Sequence, residues 1–445
     1  MGTRREPGAP VPSGAGVSGA VQFNGLLVVV PTRNRADLAE NAVRSLLGEH
    51  GSAGVRIVVS DNSTDAAAAE RLRAFCETTG SGTLHYLRPP VPLAMAAHWD
   101  WAMQTVLHTW PENHVAYLTD RMVFREGEVR AVMELARRYP DRVVAYLHDH
   151  LAGYAPPFRV EQVPWTGRAY EVYAADLLAL AARGVLSAPG LPKMLNCVVP
   201  RTVLDRLRAR FGKFFDSVAP DFNFCYRCLA EVESVVHYDS AAVVHYALDR
   251  SNGASLSRGV RTRDHADFLA SVGGSLAPSA PVPELRTVGN VIFHEYCRTR
   301  AETGSRRLPE LDRERYLDYL GREIELVEDP AERRHMRALL EANGWRASVP
   351  KREPFRAARL RKLLSPRLVL RRLSMAAAWM LREPWARPFW TFLAGRTRIR
   401  IPADARFTFG SMDEALRFAT RFRTSPARDD DHLRLPGLRI YELRH

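Results

Sequence analysis

The chain has 445 residues, of which 46% are hydrophobic and 25% are charged, and it carries a net charge of +13. This length suggests two or three domains, and the apolar content is that of a globular protein with at least one large core. The chain contains no run of 18 uncharged apolar residues, which argues against a transmembrane helix.

The excess positive charge is confined to the end of the chain. Residues 351–445 hold 22 Lys and Arg against 9 Asp and Glu, whereas residues 1–350 are neutral. A localised excess of this kind favours a polyanionic neighbour such as a membrane surface, nucleic acid or an anionic glycan. A basic domain that is merely solvated explains the composition equally well.

Cysteine usage and the N-terminus bear on location. The five cysteines are odd in number and scattered, which argues against a disulfide framework and indicates a reducing compartment. Cys225 and Cys228 form a lone CxxC whose helical spacing predicts two buried thiols rather than a zinc site. Residues 1–20 are rich in Gly, Pro, Ala and Ser and lack an apolar signal segment. We therefore expect a cytoplasmic protein with a disordered leader over residues 1–22.

Short apolar runs alternate with helical patterns from Gly25 to Tyr139. The runs are apolar throughout, which is typical of strands buried on both faces of a parallel sheet. The order therefore predicts an α/β fold with a mostly parallel sheet and helices on both faces. The predicted strands are residues 26–30, 55–59, 84–87 and 115–118, and the predicted helices are residues 36–47, 66–76, 95–107 and 126–139.

The pattern becomes less regular after this point. Further strands are predicted at residues 143–147, 196–199, 235–237 and 242–245, and further helices at residues 172–182, 201–210, 222–230, 313–327 and 331–343. We expect an α/β domain over residues 23–258, a helical domain over 259–349 and a basic C-terminal region over 350–445.

Polar segments follow three of the predicted strands. They are Pro31-Thr32-Arg33-Asn34-Arg35, Ser60-Asp61-Asn62-Ser63-Thr64-Asp65 and Thr119-Asp120-Arg121. Ligands of an open parallel sheet bind at the carboxyl ends of its strands. A carboxylate there can hydrogen-bond a base or ribose, or ligate a metal, although Asn, Ser and Thr also serve as helix N-caps. Three such segments in one sheet favour a nucleotide site.

These segments resemble two motifs of the family 2 glycosyltransferases, which have the GT-A fold. Residues 28–35, VVVPTRNR, resemble the opening VVIPTYNR of that family, and residues 58–65, VVSDNSTD, resemble its second-strand motif VVDDGSTD. The segment 117–121, YLTDR, stands where the family carries an acidic DxD-type metal motif. The resemblance extends over about residues 23–255.

The resemblance implies roles for individual residues. Pro31, Thr32, Arg33 and Asn34 would line the donor nucleotide, together with Asn62, and Asp61 would hold its base or ribose. Asp120 would meet the ribose or a divalent cation, Mn²⁺ or Mg²⁺, which neutralises the charge of the departing diphosphate. Here Asp120 is flanked by Thr119 and Arg121 rather than by further acids. Because a guanidinium can itself clamp a phosphate, Arg121 either replaces part of the work of the metal or weakens metal binding.

The family also places an acid at the start of a helix on the acceptor side. Asp221, in Ala219-Pro220-Asp221-Phe222, fits that position and is the implied general base, with Asp216 as its nearest competitor. An N-cap role explains Asp221 as well.

The resemblance implies an inverting sugar transfer from a nucleotide-sugar to a hydroxyl acceptor, in keeping with envelope or polysaccharide biosynthesis. A decayed nucleotide-sugar-binding protein stays open because the acidic motif is degenerate. A sugar nucleotidyltransferase is disfavoured because the first strand is not followed by a Gly-rich loop.

Residues 351–400 combine 14 basic residues with Trp, Phe and Leu, which predicts contact with an anionic membrane surface more than with nucleic acid. Packing of these aromatic residues onto the helical domain is the alternative.

Overall fold

The computed structural model describes residues 22–48, 54–79, 82–258, 266, 268–270, 275–304, 307–346 and 407–443. Among these residues, twelve strands join in one sheet. The strands are β1 Leu26–Thr32, β2 Val55–Asp61, β3 Leu84–Leu87, β4 His114–Tyr117, β5 Met122–Phe124, β6 Val144–Ala152, β7 Phe158–Glu161, β8 Ala169–Tyr173, β9 Cys197–Pro200, β10 Ser234–His245, β11 Phe407–Phe409 and β12 Ile440–Glu442. The helices are α1 Ala36–Leu47, α2 Ala66–Thr79, α3 Met95–Thr109, α4 Glu128–Arg138, α5 Ala174–Ala182, α6 Arg201–Phe211, α7 Pro220–Glu231, α8 Asn252–Arg258, α9 Val288–Thr303, α10 Arg313–Ile324, α11 Pro330–Ala342 and α12 Met412–Arg421.

The N-terminal half of the sheet is parallel. Its strands lie in the order β3-β2-β1-β4, and each neighbouring pair runs in the same direction. The carboxyl ends of β1, β2 and β4 therefore meet at one edge of the sheet, as the sequence predicts. This edge collects all three polar segments that follow those strands.

The other half of the sheet is mixed. β9 lies antiparallel between β4 and β6, while β6 and β10 pair in parallel. The two strands predicted at residues 235–237 and 242–245 are one strand, β10, whose pairing with β6 is irregular between Tyr238 and Val243. The helix predicted from Val172 begins only at Ala174, because Val172 and Tyr173 pair with β10 in β8. Tertiary pairing of a β-branched and an aromatic residue has overridden the helical pattern.

Alternate residues of the parallel strands face two separate cores. Leu27, Val29 and Val58 contact α3 and a large cluster that extends to α7 and α9. On the opposite face, Val28, Val30 and their neighbours pack against α1, α2 and α4. Both faces are thus covered by helices, which is why these strands are mostly apolar.

The helical region is tied to the α/β domain through α9, which packs against α7. Helices α10 and α11 follow closely the patterns predicted at residues 313–327 and 331–343. In the described residues no helix is both long and apolar enough to cross a membrane. All five cysteines are free thiols, and Cys225 and Cys228 are buried on α7 as expected.

The end of the chain completes the sheet. β11 pairs with β7 and β12 pairs with β8, while α12 packs against β7, β10 and β11. Residues 407–443 contain equal numbers of basic and acidic residues, so this part of the C-terminal region is neutral. The strongly basic segment 351–400 and the leader up to residue 21 lie outside the described residues.

The Phe407→Ala substitution tests whether the packing of β11 and α12 against the sheet contributes to the stability of the protein. Phe407 is 7% exposed, and its ring lies 4.8 Å from that of Phe418 and 4.9 Å from that of Phe422. Truncation of a buried phenylalanine leaves a cavity and should lower the free energy of unfolding by about 3–5 kcal/mol. Urea unfolding followed by circular dichroism measures the change. The matched control is Tyr441→Ala, since Tyr441 is 54% exposed and should change stability little.

Candidate active site

A cleft of about 390 Å³ opens at the carboxyl edge of the parallel strands. Its polar side is formed by the segments after β1, β2 and β4, and its other side by the start of α7 together with α8 and α9. Of the residues expected at the site, the cleft is lined by Pro31, Thr32, Arg33, Asn34, Asn62, Asp120, Arg121 and Asp221. Residues nearly 190 positions apart are thus brought into one cavity.

Asp120 is held in place by the last residue of β1 and by a residue of the segment that follows it. The hydroxyl of Thr32 donates to Asp120 Oδ2 at 2.9 Å, and Arg35 Nη1 lies 3.6 Å from Asp120 Oδ1. Asp120 is 4% exposed. Asp120 nevertheless lines the cleft, and its carboxylate is already bound by one hydroxyl and one guanidinium.

Asn34 and Asn62 order the loops around the cleft. Asn34 has a positive φ of 57° and its Oδ1 accepts from the backbone amides of Thr64 and Asp65, both at 2.9 Å. The side chain of Asn62 exchanges two hydrogen bonds with the backbone of Leu93, each 2.8 Å long. These bonds join the segments after β1, β2 and β3 and so fix the shape of the polar side.

Asp61 lies beneath the cleft rather than on its wall. Its side chain is fully buried, Oδ1 accepts from the Ser63 amide at 2.9 Å, and Oδ2 accepts from the Tyr86 hydroxyl at 2.7 Å. Both carboxylate oxygens are thus occupied by internal partners. In this geometry Asp61 shapes the loop after β2, and its direct contact with a base or ribose stays a prediction.

The side chain of Arg121 is oriented by His245, which no sequence motif had indicated as a site residue. Arg121 Nη1 donates to His245 Nε2 at 2.8 Å, so the neutral ring carries its proton on Nδ1. Burial and the adjacent guanidinium lower the pKa of His245 well below its ordinary value. Burial also lowers the pKa of Arg121, to about 10, so the guanidinium keeps its charge at neutral pH.

Two further histidines surround His245. His148 and His150 point to the same face of β6, and their ring centroids lie 6.2 Å and 5.7 Å from that of His245. Burial lowers the pKa of His148 to about 3 and also lowers that of His150. The three rings are therefore neutral. Their one sequence signal is the alternation of His148 and His150 directly after the strand predicted at residues 143–147.

Asp221 is a half-buried carboxylate in the first turn of α7. Burial raises its pKa above the ordinary value, while Lys193, amides of the first turn and Arg121 oppose the increase. A carboxylate that is a stronger base than usual suits proton abstraction. Asp216, the competitor, lies elsewhere. It lines a neighbouring groove with Trp101 and is bound by Arg298 at 2.8 Å.

Helix α9 holds the segment that precedes Asp221. Glu295 Oε1 accepts from the Ala219 amide at 2.9 Å, and Oε2 accepts from Asn223 Nδ2 at 3.3 Å. His294 Nε2 lies 3.2 Å from the hydroxyl of Ser217. The sequence predicted helices in this region but gave no sign that one of them would support the candidate base.

Glu295 should make the stability of the protein depend on pH. Burial raises its pKa from 4.5 to about 7, and the nearby Asp221 adds to the increase. The folded chain therefore keeps this proton over a range where the unfolded chain has released it. Stability should fall as the pH rises from about 4.5 to about 7, by up to about 1.4 kcal/mol per pH unit.

The Glu295→Gln variant, which stays neutral, should lose this contribution to the slope in urea unfolding measured between pH 4.5 and pH 7.5. Glu310→Gln is the matched control, since the side chain of Glu310 is 86% exposed. An unchanged slope in Glu295→Gln would contradict the assignment.

The described residues do not by themselves form a complete site for a divalent cation. In the described part of the chain, no group of three or more His, Cys, Asp or Glu side chains is placed to hold a metal ion. Asp120, the expected ligand, already accepts from Thr32 and pairs with Arg35, and the next residue is the cationic Arg121. Cation binding at Asp120 therefore stays a prediction, and guanidinium groups supply the positive charge seen at this end of the cleft.

The fold is similar to solved structures of TarS from S. aureus. TarS residues 1–349 match with 13% identity and a TM-score of 0.40, over 72% of this chain and 88% of that one. The same fragment in complex with UDP-GlcNAc matches with 12% identity and a TM-score of 0.39, over 72% and 89%. A further TarS structure matches with 12% identity and a TM-score of 0.38, over 72% and 54%. No protein-family model and no curated protein matches the chain. Because the identities lie below 25% and the TM-scores below 0.5, we take neither a family nor an activity from these structures.

Proposed function

We propose that this protein is a glycosyltransferase that moves a sugar from a nucleotide-sugar donor to a hydroxyl acceptor, with inversion at the anomeric carbon. One observation carries the proposal. The polar strand-end segments that resemble a donor site and the carboxylate predicted as the base line the same cleft. A donor on the polar side and an acceptor on the α7 side would meet within it.

The polar side suits a nucleoside diphosphate. Arg33, Arg35 and Arg121 line it, and Arg121 is oriented by a neutral histidine. Guanidinium groups bind phosphate oxygens through paired hydrogen bonds. They would stabilise the negative charge that develops on the diphosphate as its bond to the sugar breaks.

The reaction proposed is a single displacement. The acceptor oxygen forms a bond to the anomeric carbon while its proton passes to Asp221. The bond from that carbon to the diphosphate oxygen breaks, and the electron pair leaves with the nucleoside diphosphate toward Arg121 and Arg35. Attack from the face opposite the leaving group inverts the anomeric centre, and one base is enough.

Binding and product analysis test this proposal. A thermal-shift screen of nucleotides and nucleotide-sugars should find a donor that adds about 2.7 kcal/mol of stability at 100 times its dissociation constant. With that donor, NMR of the product should show inverted configuration and release of a nucleoside diphosphate. Donor binding without hydrolysis or transfer to any acceptor would favour the decayed binding protein. Release of pyrophosphate from a nucleoside triphosphate and a sugar 1-phosphate, with formation of the nucleotide-sugar, would identify a nucleotidyltransferase.

We also propose that residues 351–400 attach the protein to an anionic membrane surface. Support comes from their 14 basic and two acidic residues, interleaved with Trp, Phe and Leu. Each basic residue near such a surface contributes about 1 kcal/mol. The full chain should float with anionic liposomes at low salt, and the variant Arg371→Gln/Arg372→Gln should float less. Equal flotation with neutral and anionic vesicles would contradict the proposal.

The test uses the double variant Arg371→Gln/Arg372→Gln rather than a deletion, because residues 407–443 must stay in the chain. These residues supply β11, α12 and β12 of the sheet, so truncation at residue 350 would disturb the fold as well as remove the basic segment.

A further inference from the structure

The side of the cleft that faces the polar strand ends is mostly apolar, with Asp221, Ser251 and Asn252 as its polar residues. It is formed by a set that we name the apolar wall, drawn from the α7 start, α8, α9 and the segment before β9. Its members are Leu195, Val218, Phe222, Leu256, Val288, Val291 and Ile292. The wall adjoins the candidate base in the chain, since Phe222 follows Asp221 directly.

These side chains are placed to meet a ligand. Leu195, Val218, Leu256 and Val288 are half-buried rather than covered by the core, and they line the cavity. A fully hydroxylated saccharide would lose water along this side with few groups to replace its hydrogen bonds. An alkyl or aryl group would instead gain from burial of apolar surface.

One polar atom at the wall is without a partner. Asn252 lines the cleft at the start of α8, and its Oδ1 is buried with no hydrogen-bond partner in the described structure. A buried acceptor atom of this kind is costly unless a ligand donates to it. It fits a hydroxyl that lies beside an apolar group of the ligand.

We propose that the apolar wall binds the acceptor, and that the acceptor carries an alkyl or aryl group beside its reactive hydroxyl. The inference rests on the proposed function, because the wall becomes an acceptor site only if Asp221 takes the proton of that hydroxyl. It adds the chemical class of the acceptor, which the polar strand ends do not define.

The test compares two probes that differ only in apolar length, methyl β-D-glucoside and hexyl β-D-glucoside, by calorimetric titration of the full chain without donor. Each buried methylene should tighten binding about fourfold, since its transfer is worth about 0.8 kcal/mol. With two or three methylenes on the wall, hexyl glucoside should bind about 15- to 60-fold more tightly. Equal affinity, or no binding of either probe, overturns the inference.

Substitutions in the apolar wall test whether the wall is the part of the cleft that binds the hexyl group. Val288→Thr and Val291→Thr keep the shape of the side chain but add a hydroxyl, so each should cut the preference for the hexyl probe by about threefold or more. Val91→Thr is the matched control, because Val91 is 61% exposed and does not line the cleft. If both wall variants keep the wild-type preference for the hexyl probe, the apolar wall is not the binding site of the hexyl group. Thermal unfolding checks that each variant is folded.

The design separates this inference from the proposed function. The titration needs no donor and no turnover, so a preference for the hexyl probe can appear in a protein that transfers no sugar. Conversely, sugar transfer to acceptors with no dependence on apolar groups would leave the proposed function intact and overturn the acceptor class.

Discussion

The Asp221→Asn variant should lose about 10²- to 10⁴-fold in transfer rate while its affinity for the donor stays near that of the wild type. Asparagine keeps the size of the side chain and much of its hydrogen bonding, but it cannot accept the acceptor's proton. Since Asp221 belongs to the start of α7 and not to the strand-end segments that are expected to hold the donor, the donor contacts should be undisturbed. Steady-state kinetics and donor titration measure the two effects separately.

The pH profile adds a readout that a structural defect would not give. Because burial raises the pKa of Asp221, the wild-type rate should fall at low pH around a value above the ordinary range of an aspartate, as the base becomes protonated. The residual activity of Asp221→Asn should lack that fall.

Asp216→Asn is the matched control for Asp221. Asp216 pairs with Arg298 and lines the groove beside Trp101, so its loss should change the rate by less than tenfold. If Asp221→Asn kept more than a tenth of the wild-type rate and Asp216→Asn lost activity, the base would have to be reassigned to Asp216.

The sequence predicted the parallel half of the fold closely because local and tertiary preferences agree there. α1 and β3 begin and end where the patterns indicated, and β1, β2 and β4 differ by a residue or two. In β1 the residues from Leu26 to Val30 face one core and the other in turn, so the apolar run itself marks the strand. The polar residues that follow such strands are then brought together by topology alone.

Long-range pairing accounts for most of what the sequence did not predict. β11 and β12 are three residues each, too short to show a period, and they become strands only because β7 and β8 offer unpaired edges. Glu295 lies in a charge-rich helical pattern in which nothing separates it from solvent-facing acids. Its role depends on α9 packing against the segment before α7, 76 residues earlier in the chain.

The residues that line the cleft were easier to predict from the sequence than the contacts they make. Thr32, Asp120 and Asp221 do line one cleft, but no sequence pattern indicates that the Asp61 carboxylate accepts hydrogen bonds from Ser63 and Tyr86. His245 was equally hidden, since a histidine at the end of a strand has many uses. Only the distance of 2.8 Å to Arg121 indicates what it does.

The Arg121→Ala variant should lose about 10²- to 10³-fold in transfer rate, which is the usual cost of removing one preorganised group that stabilises transition-state charge. Arg121 keeps its charge at neutral pH and is oriented by His245, whereas the carboxylate of Asp120 is already engaged by Thr32 and Arg35. We therefore expect Arg121→Ala to be more damaging than Asp120→Ala, and EDTA to leave most of the wild-type activity. Transfer rates measured with and without EDTA show whether the guanidinium of Arg121 or a bound divalent cation neutralises the charge on the departing diphosphate.

The matched control for Arg121 is Arg434→Ala, whose side chain is 68% exposed and far in sequence from the cleft, and which should leave the rate unchanged. Loss of donor binding on addition of EDTA, restored by Mn²⁺ and abolished in Asp120→Ala, would establish the cation that the resemblance implies. An Arg121→Ala variant within threefold of the wild-type rate would exclude Arg121 as the main counter-charge. Because both substitutions remove groups from the same end of the cleft, the double variant should lose less than the product of the two single effects if one unit binds the diphosphate.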